Sequence, residues 1–516
     1  MSTGPMRPVA VLGVGAAAPA LRLAAADVGA AWGSGGGRSS VAVCDADEDT
    51  LTLAWQAASA ALDAAGVSAH DVSGLWWGTA RPPFAEGPSH AFLAATLGLD
   101  RAIEGALVSG SPHAGMEALV SAWDALAAGH ARVALVVASD ALVPGLGTAG
   151  ETSIGAGAAA VVLGAIADTS DSPSTNGSSP AARLLTRTTR AIPAVDRYRA
   201  EGATGDVYDG RLFREEVFVP LLCETGRAVA EEAGSPVAAW AVADPDGKLA
   251  AAVARRLGAP LASTPVYGAL GDTGAAAALL GLIHGCADTA SANGTTIGPS
   301  TPSGTTRLLG TIGYGGGRAT AIVVEVLRPV PGAVSVDRLG AGRRVTYPEA
   351  LRARGQLEPM DDPIPMGLPP AGAAFVRGNP EMLGLLGARC EECGTISTPP
   401  SIHPTCTGCG GSQLEVVALA RRGRVHTFVV NQTMPPPFQA PLPIVIIDLD
   451  DGARLMVQGS PADAADLAVG DVVTLSLRRY ALERGIPVYG FKAFRVAGAE
   501  ATVGSAQDRA AQRGGS

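Results

Sequence analysis

Four of the seven cysteines lie within twenty residues, at Cys390, Cys393, Cys406 and Cys409, in the spacing C-x2-C-x12-C-x2-C. A glycine follows each pair, Gly394 and Gly410. Two such knuckles present four thiolates at tetrahedral geometry, the ligand set of a structural zinc ion. Four sulfurs close the coordination sphere and leave the metal no open position for chemistry. A redox dithiol needs one C-x-x-C in a strand–helix–strand context, and the surrounding sequence lacks that context. Glycine after each pair is expected to turn backbone amides toward the sulfurs. The cluster also divides the chain into a long α/β region before it and a short β region after it.

A chain of 516 residues has room for two to four domains. Its formal charge of −10 makes nucleic acid or an anionic membrane a poor partner. No apolar run approaches the ~18 residues of a transmembrane helix. The N-terminus runs into the strand-like PVAVLGVG without the regions of a signal peptide. Cys44, Cys223 and Cys286 are scattered, which fits a reducing cytoplasm.

Before the cysteines, strand-like and helix-like segments alternate. Residues 49–65 carry one apolar stripe (Leu51, Leu53, Ala54, Ala58, Ala61, Leu62) and predict a helix. Strands are predicted at Gly74–Gly78, Arg132–Ala138, Ala158–Leu163, Ala238–Val242 and Ala321–Val326, and helices at 114–128, 221–233, 248–257 and 275–284. One unit occurs twice, as ALVSGSPHAGMEALVSAWDAL and VYGALGDTGAAAALLGLIHG: a strand, a sharp turn of small residues, then an apolar helix. Met116, Leu119, Val120, Trp123 and Leu126 would face inward on the first helix. The resulting halves are 1–167 and 183–328. Ser/Thr-rich stretches at 168–182 and 287–306 read as loops. The proline-rich 329–371 reads as an extended linker, 372–412 as a ribbon with a preceding helix, and 501–516 as a disordered tail. Five short strands in 413–500, with turns at Asp450-Asp451-Gly452 and Val469-Gly470-Asp471, predict a small OB-type barrel. Residues 415–500 hold nine Lys/Arg and nine Asp/Glu, too balanced for a single-strand nucleic-acid groove.

Residues 8–328 resemble the thiolase superfamily, in its 3-hydroxy-3-methylglutaryl-CoA synthase and ketoacyl-ACP synthase III branch. The matching stretches include DEDTLTLAWQAASAALDAAGV, SPHAGMEAL, VALVVASDAL, GDTGAAAALLGL and IGYGGGRATAIVVEV. Residues 372–497 resemble the zinc-ribbon/OB-fold proteins that accompany acyl-CoA thiolases, through FVRGNPEMLGLLGARCEECG and GRVHTFVV. The resemblance implies a five-layered αβαβα fold with two pseudo-repeats, a homodimer or higher homo-oligomer, and a coenzyme A or carrier-protein thioester as substrate.

The family's cysteine nucleophile falls on Pro112, in Ser111-Pro112-His113-Ala114-Gly115. Its general-base histidine falls in Ala243-Asp244-Pro245-Asp246-Gly247-Lys248, its asparagine on Asp272, and its glutamate in Thr79-Ala80-Arg81-Pro82-Pro83. A cysteine acyl-enzyme is therefore not expected. His113 and Asp272, each at a helix start, Tyr314 in the glycine loop, and Ser111 are the remaining catalytic candidates. His113 also reads as a plain helix-start residue, Asp272 as an N-cap and Tyr314 as loop packing. Gly271, Gly313, Gly315 and Gly316 are the candidate cofactor-binding turns. Two functions stand side by side: acyl transfer or carbon–carbon bond formation in bacterial natural-product biosynthesis, or an inactive acyl-CoA-binding scaffold that docks a partner enzyme.

Overall fold

The computed structural model describes residues 7–34, 37, 39–166, 180–195, 197–198, 206–207, 214–262, 266–288, 307–357, 379–434, 440–483 and 486–496. The loops expected at 168–182 and 287–306 lie largely outside these residues, and the tail from 501 wholly so. The chain forms two units, Met1–Glu358 and Pro359–Ser516.

In the first unit, nine strands build one mixed sheet: β1 (Val9–Ala17), β2 (Gly74–Thr79), β3 (Glu104–Ser109), β4 (Val133–Ala141), β5 (Ala156–Ala165), β6 (Ala182–Ala191), β7 (Ala239–Val242), β8 (Arg307–Gly315) and β9 (Arg318–Val326). Their order is β7-β8-β9-β6-β1-β5-β4-β2-β3. The two halves join where β1 pairs antiparallel with β6, Val9 opposite Leu184. Helices α1 (Thr50–Ala65), α2 (Ala114–Ala127), α3 (Val219–Ala233), α4 (Leu249–Leu257) and α5 (Ala277–Asp288) supply the other layers. The first packs on β1, β5 and β4, α2 on β2 and β4, α5 on β7 and β8, and α3 on β6 and β9.

Asp49 starts α1 by accepting the amides of Leu51 and Thr52, while Thr52 returns a bond to the Asp49 amide. Gly66 ends it at φ 63, a left-handed conformation that glycine adopts without strain. The middle layer pairs α2 with α5. Met116, Leu119 and Leu126 share one core cluster with Leu279, Leu280 and Ile283. Each such side chain contributes about 1.5–3 kcal/mol by leaving water. A methyl group on Gly115 would sit 2.1 Å from the Ala275 carbonyl oxygen, so only glycine allows the two repeats this close. Val120 and Trp123, predicted to face inward, are only half-buried, and the Arg187 guanidinium lies 5.1 Å from the centre of the Trp123 ring.

Three predictions need correction. Val266–Leu270 is a short helix and not a strand, so the second repeat unit enters its turn from a helix. Tyr314 lies within β8 and not in a loop, because the glycine-rich stretch forms a β8–β9 hairpin. The expected linker is folded through its first part. Arg343–Val345 pairs parallel with Leu21–Leu23, and Thr346 and Glu349 cap a helix at Tyr347–Ala353. Tyr347 then bonds Glu151 at 2.7 Å inside the first unit. The T-Y-P-E capping box was the local signal for that helix. The proline content of the whole stretch masked it.

In the second unit, a short helix (Asn379–Gly384) precedes a three-stranded ribbon of β10 (Leu386–Cys390), β11 (Ile396–Ser397) and β12 (Leu414–Ala418). A barrel follows, of β13 (Arg422–Asn431), β14 (Leu442–Leu449), β15 (Arg454–Gln458), β16 (Val472–Glu483) and β17 (Ile486–Arg495), ordered β15-β14-β13-β16-β17. A bridge from Gly459 to Ala493 draws its two edges together. Val425, Val445, Ile447, Leu475, Leu477 and Phe491 fill it, on the alternation the sequence shows.

Candidate functional site

A cavity of about 560 Å³ opens in the first unit. The sequence D-P-D-G forms one wall. Asp244 accepts the amides of Asp246 (3.2 Å) and Gly247 (2.9 Å), and Asp246 accepts those of Lys248 and Leu249 at the start of α4. Burial, and then the charge of Asp246, push the Asp244 carboxyl up to about 6. Asp246 is held below the usual carboxylate range by Arg214, with which it forms an ion pair. The turn before α5 also lines the cavity, where Asp272 pairs with Arg197 and accepts the Gly274 amide at 2.9 Å. Tyr267 joins the lining with its ring close to Gly247, where a methyl group would lie 2.9 Å from it. Burial, followed by the charges of Asp272, Asp244 and Asp246, pushes its phenol up to about 12. It is therefore a proton donor at neutral pH. Phe218, Leu249, Ala277 and Pro112 supply apolar lining.

Asp140, at the end of β4, anchors the turns behind the cavity. It is fully buried. Its Oδ1 accepts Thr79 Oγ1 and the Ala80 and Arg81 amides, and its Oδ2 accepts the Ala275 amide at 2.7 Å. Burial outweighs those bonds and lifts its carboxyl to about 6. A smaller cavity, about 230 Å³, adjoins through Pro112 and Arg197, which line both.

Of the four catalytic candidates, Asp272 and Tyr314 line the large cavity and Ser111 lines the small one. Tyr314 packs on Phe218, their ring centroids 5.0 Å apart. His113 lines neither. It is buried, with Nε2 2.8 Å from Thr320 Oγ1 on β9 and Nδ1 3.5 Å from Glu117 on its own helix. As the residue that precedes α2, it turns its ring toward Thr320 of the sheet.

The four candidate cofactor glycines are also absent from the lining. They are points of close approach: a methyl group on Gly313 would lie 2.5 Å from Met116 Cγ, and one on Gly315 2.7 Å from the His113 amide. Gly316 meets Ser111, and Gly271 meets Ser153. Asp244, Asp246, Tyr267, Arg197 and Arg214 were missed as site residues. The signal for the aspartates was present, since D-P-D-G occupies the stretch aligned with the family's histidine. The lone cysteines stay apart: burial pushes Cys286 up to about 12 and raises Cys223, and neither lines the cavity.

In the second unit the four cysteine sulfurs lie within 4.8 Å of one another, Cys390 to Cys409 at 3.6 Å and Cys393 to Cys406 at 3.4 Å. Tetrahedral zinc with Zn–S of ~2.3 Å would set its sulfurs ~3.8 Å apart, so the donor set fits the ion. Each knuckle closes alike. The Gly394 amide donates to the Cys390 carbonyl (2.9 Å), and the Gly410 amide to that of Cys406 (3.0 Å). Those two glycine amides face carbonyls, and the amides that reach sulfurs include those of Thr395 at Cys393, Gly408 at Cys406 (3.3 Å) and Gly411 at Cys409, so the glycines do let backbone amides turn toward the cluster.

Residues 416–478 match the family model described as ChsH2, C-terminal OB-fold domain. A DUF35 domain-containing scaffold protein of Methanothermobacter thermautotrophicus is 33% identical over 118 residues, 22% of this chain and 87% of that protein. The chain belongs to the DUF35 domain family. A hydroxymethylglutaryl-CoA synthase of Pyrococcus horikoshii is 32% identical over 161 residues, 31% of this chain and 46% of the synthase. The chain thus spans about half the length of the synthases it matches. A solved HMG-CoA synthase complexed with CoA superposes with a TM-score of 0.55 at 16% identity, over 69% of this chain and 92% of that one. The structure of MvaS in complex with 3-hydroxy-3-methylglutaryl coenzyme A gives 0.54 at 21%, over 70% and 95%. The DUF35 portion is therefore joined to an HMG-CoA synthase-like fold of the thiolase superfamily, and the chain ends in an OB-type barrel. Among the described residues, no helix is long and apolar enough to cross a membrane.

Proposed function

We propose that the large cavity binds an acyl-CoA or acyl-carrier-protein thioester and catalyses carbon–carbon chemistry at it without a cysteine acyl-enzyme. The supporting observation is a pair of groups that line the same cavity. Asp244 ionises near pH 6, Tyr267 stays protonated, and no cysteine is among the lining residues. Asp244 would take a proton from the carbon next to the thioester carbonyl, and Tyr267 would donate to the carbonyl oxygen on which charge develops. Asp272 and Asp246, each paired with an arginine, hold the two walls in place. In the second unit, Cys390, Cys393, Cys406 and Cys409 would hold structural zinc, which stabilises the ribbon and takes no part in the chemistry. The Ala- and Gly-rich composition supports a place in bacterial natural-product biosynthesis, and the fold supports a homodimer.

The test is α-proton exchange. The pure protein is incubated with a panel of acyl-CoAs in D2O, and both substrate and protein are weighed by mass spectrometry. Deuterium entering the substrate, with no acyl adduct on the protein and loss of exchange in Asp244→Asn, is the expected result. A stable adduct would restore an acyl-enzyme and overturn the reading. Binding without exchange would favour the second reading, a scaffold, in keeping with the DUF35 domain-containing scaffold protein that this chain resembles.

A further inference from the structure

We propose that Glu151 is a positioning residue, through which the arm at 343–354 holds the lining turns of the large cavity in place. The inference rests on the thioester reading above for what the cavity does, and on bonds within the first unit for the coupling.

Glu151 sits on a short turn, Ala149–Thr152, and is fully buried. A buried carboxylate is costly unless its oxygens are bonded, and both are. Oε1 accepts the Tyr347 hydroxyl at 2.7 Å. Oε2 accepts the Gly147 amide at 2.7 Å and Trp32 Nε1 at 3.0 Å. The same indole N–H lies 3.0 Å from the Tyr347 oxygen. Burial, and then the bond to Glu151, raise the Tyr347 phenol above its ordinary value, so it stays a donor at neutral pH. Burial lowers the Arg354 guanidinium, and the charge of Glu151 opposes that fall.

One end of this network is the arm. Arg343–Val345 pairs with Leu21–Leu23, and the buried Arg22 guanidinium donates to the carbonyls of Pro19, Leu21, Leu339, Gly340 and Ala341. Tyr347 opens the helix that follows and Arg354 closes it, before the chain passes into the second unit at Pro359.

The other end is the cavity. Ala149, Gly150, Thr152 and Ser153 line it. The Ser153 carbonyl accepts the Asp272 amide at 2.7 Å, and the Asp272 carbonyl accepts the Gly155 amide at 2.9 Å. A methyl group on Gly155 would lie 1.8 Å from the Leu270 carbonyl oxygen, and one on Gly271 would lie 2.8 Å from that of Ser153, so the two turns interlock. The Gly271 amide donates to the Tyr267 carbonyl at 2.9 Å. The path from the arm therefore runs through Glu151 and Ser153 to Asp272 and Tyr267.

Amide hydrogen exchange on the full-length protein, read peptide by peptide, tests the coupling. Tyr347→Phe removes a hydroxyl and leaves the ring. We expect it to speed exchange roughly tenfold in the arm and in the peptides that hold Gly155 and Asp272, with the helix Thr50–Ala65 unchanged. Glu151→Gln should act more strongly at the same peptides. Adding Tyr347→Phe to it should change little, because Tyr347 acts through Glu151. Unchanged exchange at Gly155 and Asp272 in Tyr347→Phe would make the arm and the cavity independent and overturn the assignment. Faster exchange spread equally into Thr50–Ala65 would make Glu151 a general stabiliser and overturn it as well. Tyr347→Phe alone decides between these outcomes if Glu151→Gln does not fold. In the D2O assay, Tyr347→Phe should slow α-proton exchange several-fold at saturating acyl-CoA, with half-saturation little changed. The amide measurement needs no turnover, so failure of the chemistry and failure of the coupling read out separately.

Discussion

The cysteine cluster of the second unit and the large cavity of the first both gather ionisable groups, by opposite means. The cluster takes four ligands from twenty consecutive residues, and two glycine-closed knuckles set their geometry locally. The cavity takes Arg197, Arg214, Asp244, Tyr267 and Asp272 from separate elements, and its floor is tied by Asp140 from β4. A local site is held by its own loops. A distributed site exists only when the whole sheet and both repeat helices are assembled. The difference predicts which perturbations stay confined.

The largest effect belongs to the metal. Binding free energies of structural zinc are about 10–16 kcal/mol in small metal-dependent domains. Chelation, or Cys406→Ser, should release zinc in elemental analysis and abolish the thermal transition of the second unit while that of the first stays put. An unchanged second-unit transition would remove the contrast.

Next comes Asp244→Asn, expected to slow α-proton exchange about 10²–10⁴-fold, the scale of one acid–base group. In the unsubstituted protein the exchange rate should climb as pH rises through about 6, because the carboxylate is the active form. A rate independent of pH between 5 and 8 would exclude Asp244 as the base.

Asp140 probes the tie between the turns. Asp140→Asn puts an amide where three backbone N–H groups and a hydroxyl converge, at a cost of about 1–3 kcal/mol at neutral pH. The sign with pH follows from burial. The folded-state value, about 6, stands above the ordinary 3.8, so the native state holds its proton more firmly. That contribution is complete below pH 3.8 and is lost as pH rises through 6. The destabilisation caused by Asp140→Asn should accordingly shrink by roughly 3 kcal/mol between pH 4 and pH 7. Denaturant melts at both pH values check it, and a gap that widens with pH would contradict it.

The smallest effect is at His113. Thr320→Val removes the partner of Nε2 and should cost about 1 kcal/mol in stability, with exchange nearly unchanged. A large loss of exchange would return His113 to the chemistry.

The legibility of the molecule follows the same division. Helix α1 could be read from Asp49, Thr52, its apolar stripe and Gly66, since each acts within a turn of its neighbours. The barrel could be read from strand alternation and the turns at Gly452 and Gly470. Reading failed where a long-range partner decided the outcome. Arg343–Val345 is a strand because Leu21–Leu23 lies beside it. Tyr314 is in a strand because Ala319 pairs across the hairpin. His113 begins a helix as foreseen, but Thr320, more than two hundred residues away, takes its ring.

By itself the sequence determined the cysteine cluster, the repeated α/β pattern and the barrel, because spacing and residue type govern each of these. The tertiary structure alone decided that Asp244, Tyr267 and Asp272 line one cavity, and that Arg81, Arg197 and Ser111 line another. It also decided that Asp140 and Asp244 ionise far above an ordinary aspartate. The physical reason is burial. A carboxyl's ionisation depends on how much water the rest of the fold removes and which charges it brings near, and neither is encoded by its neighbours in the chain.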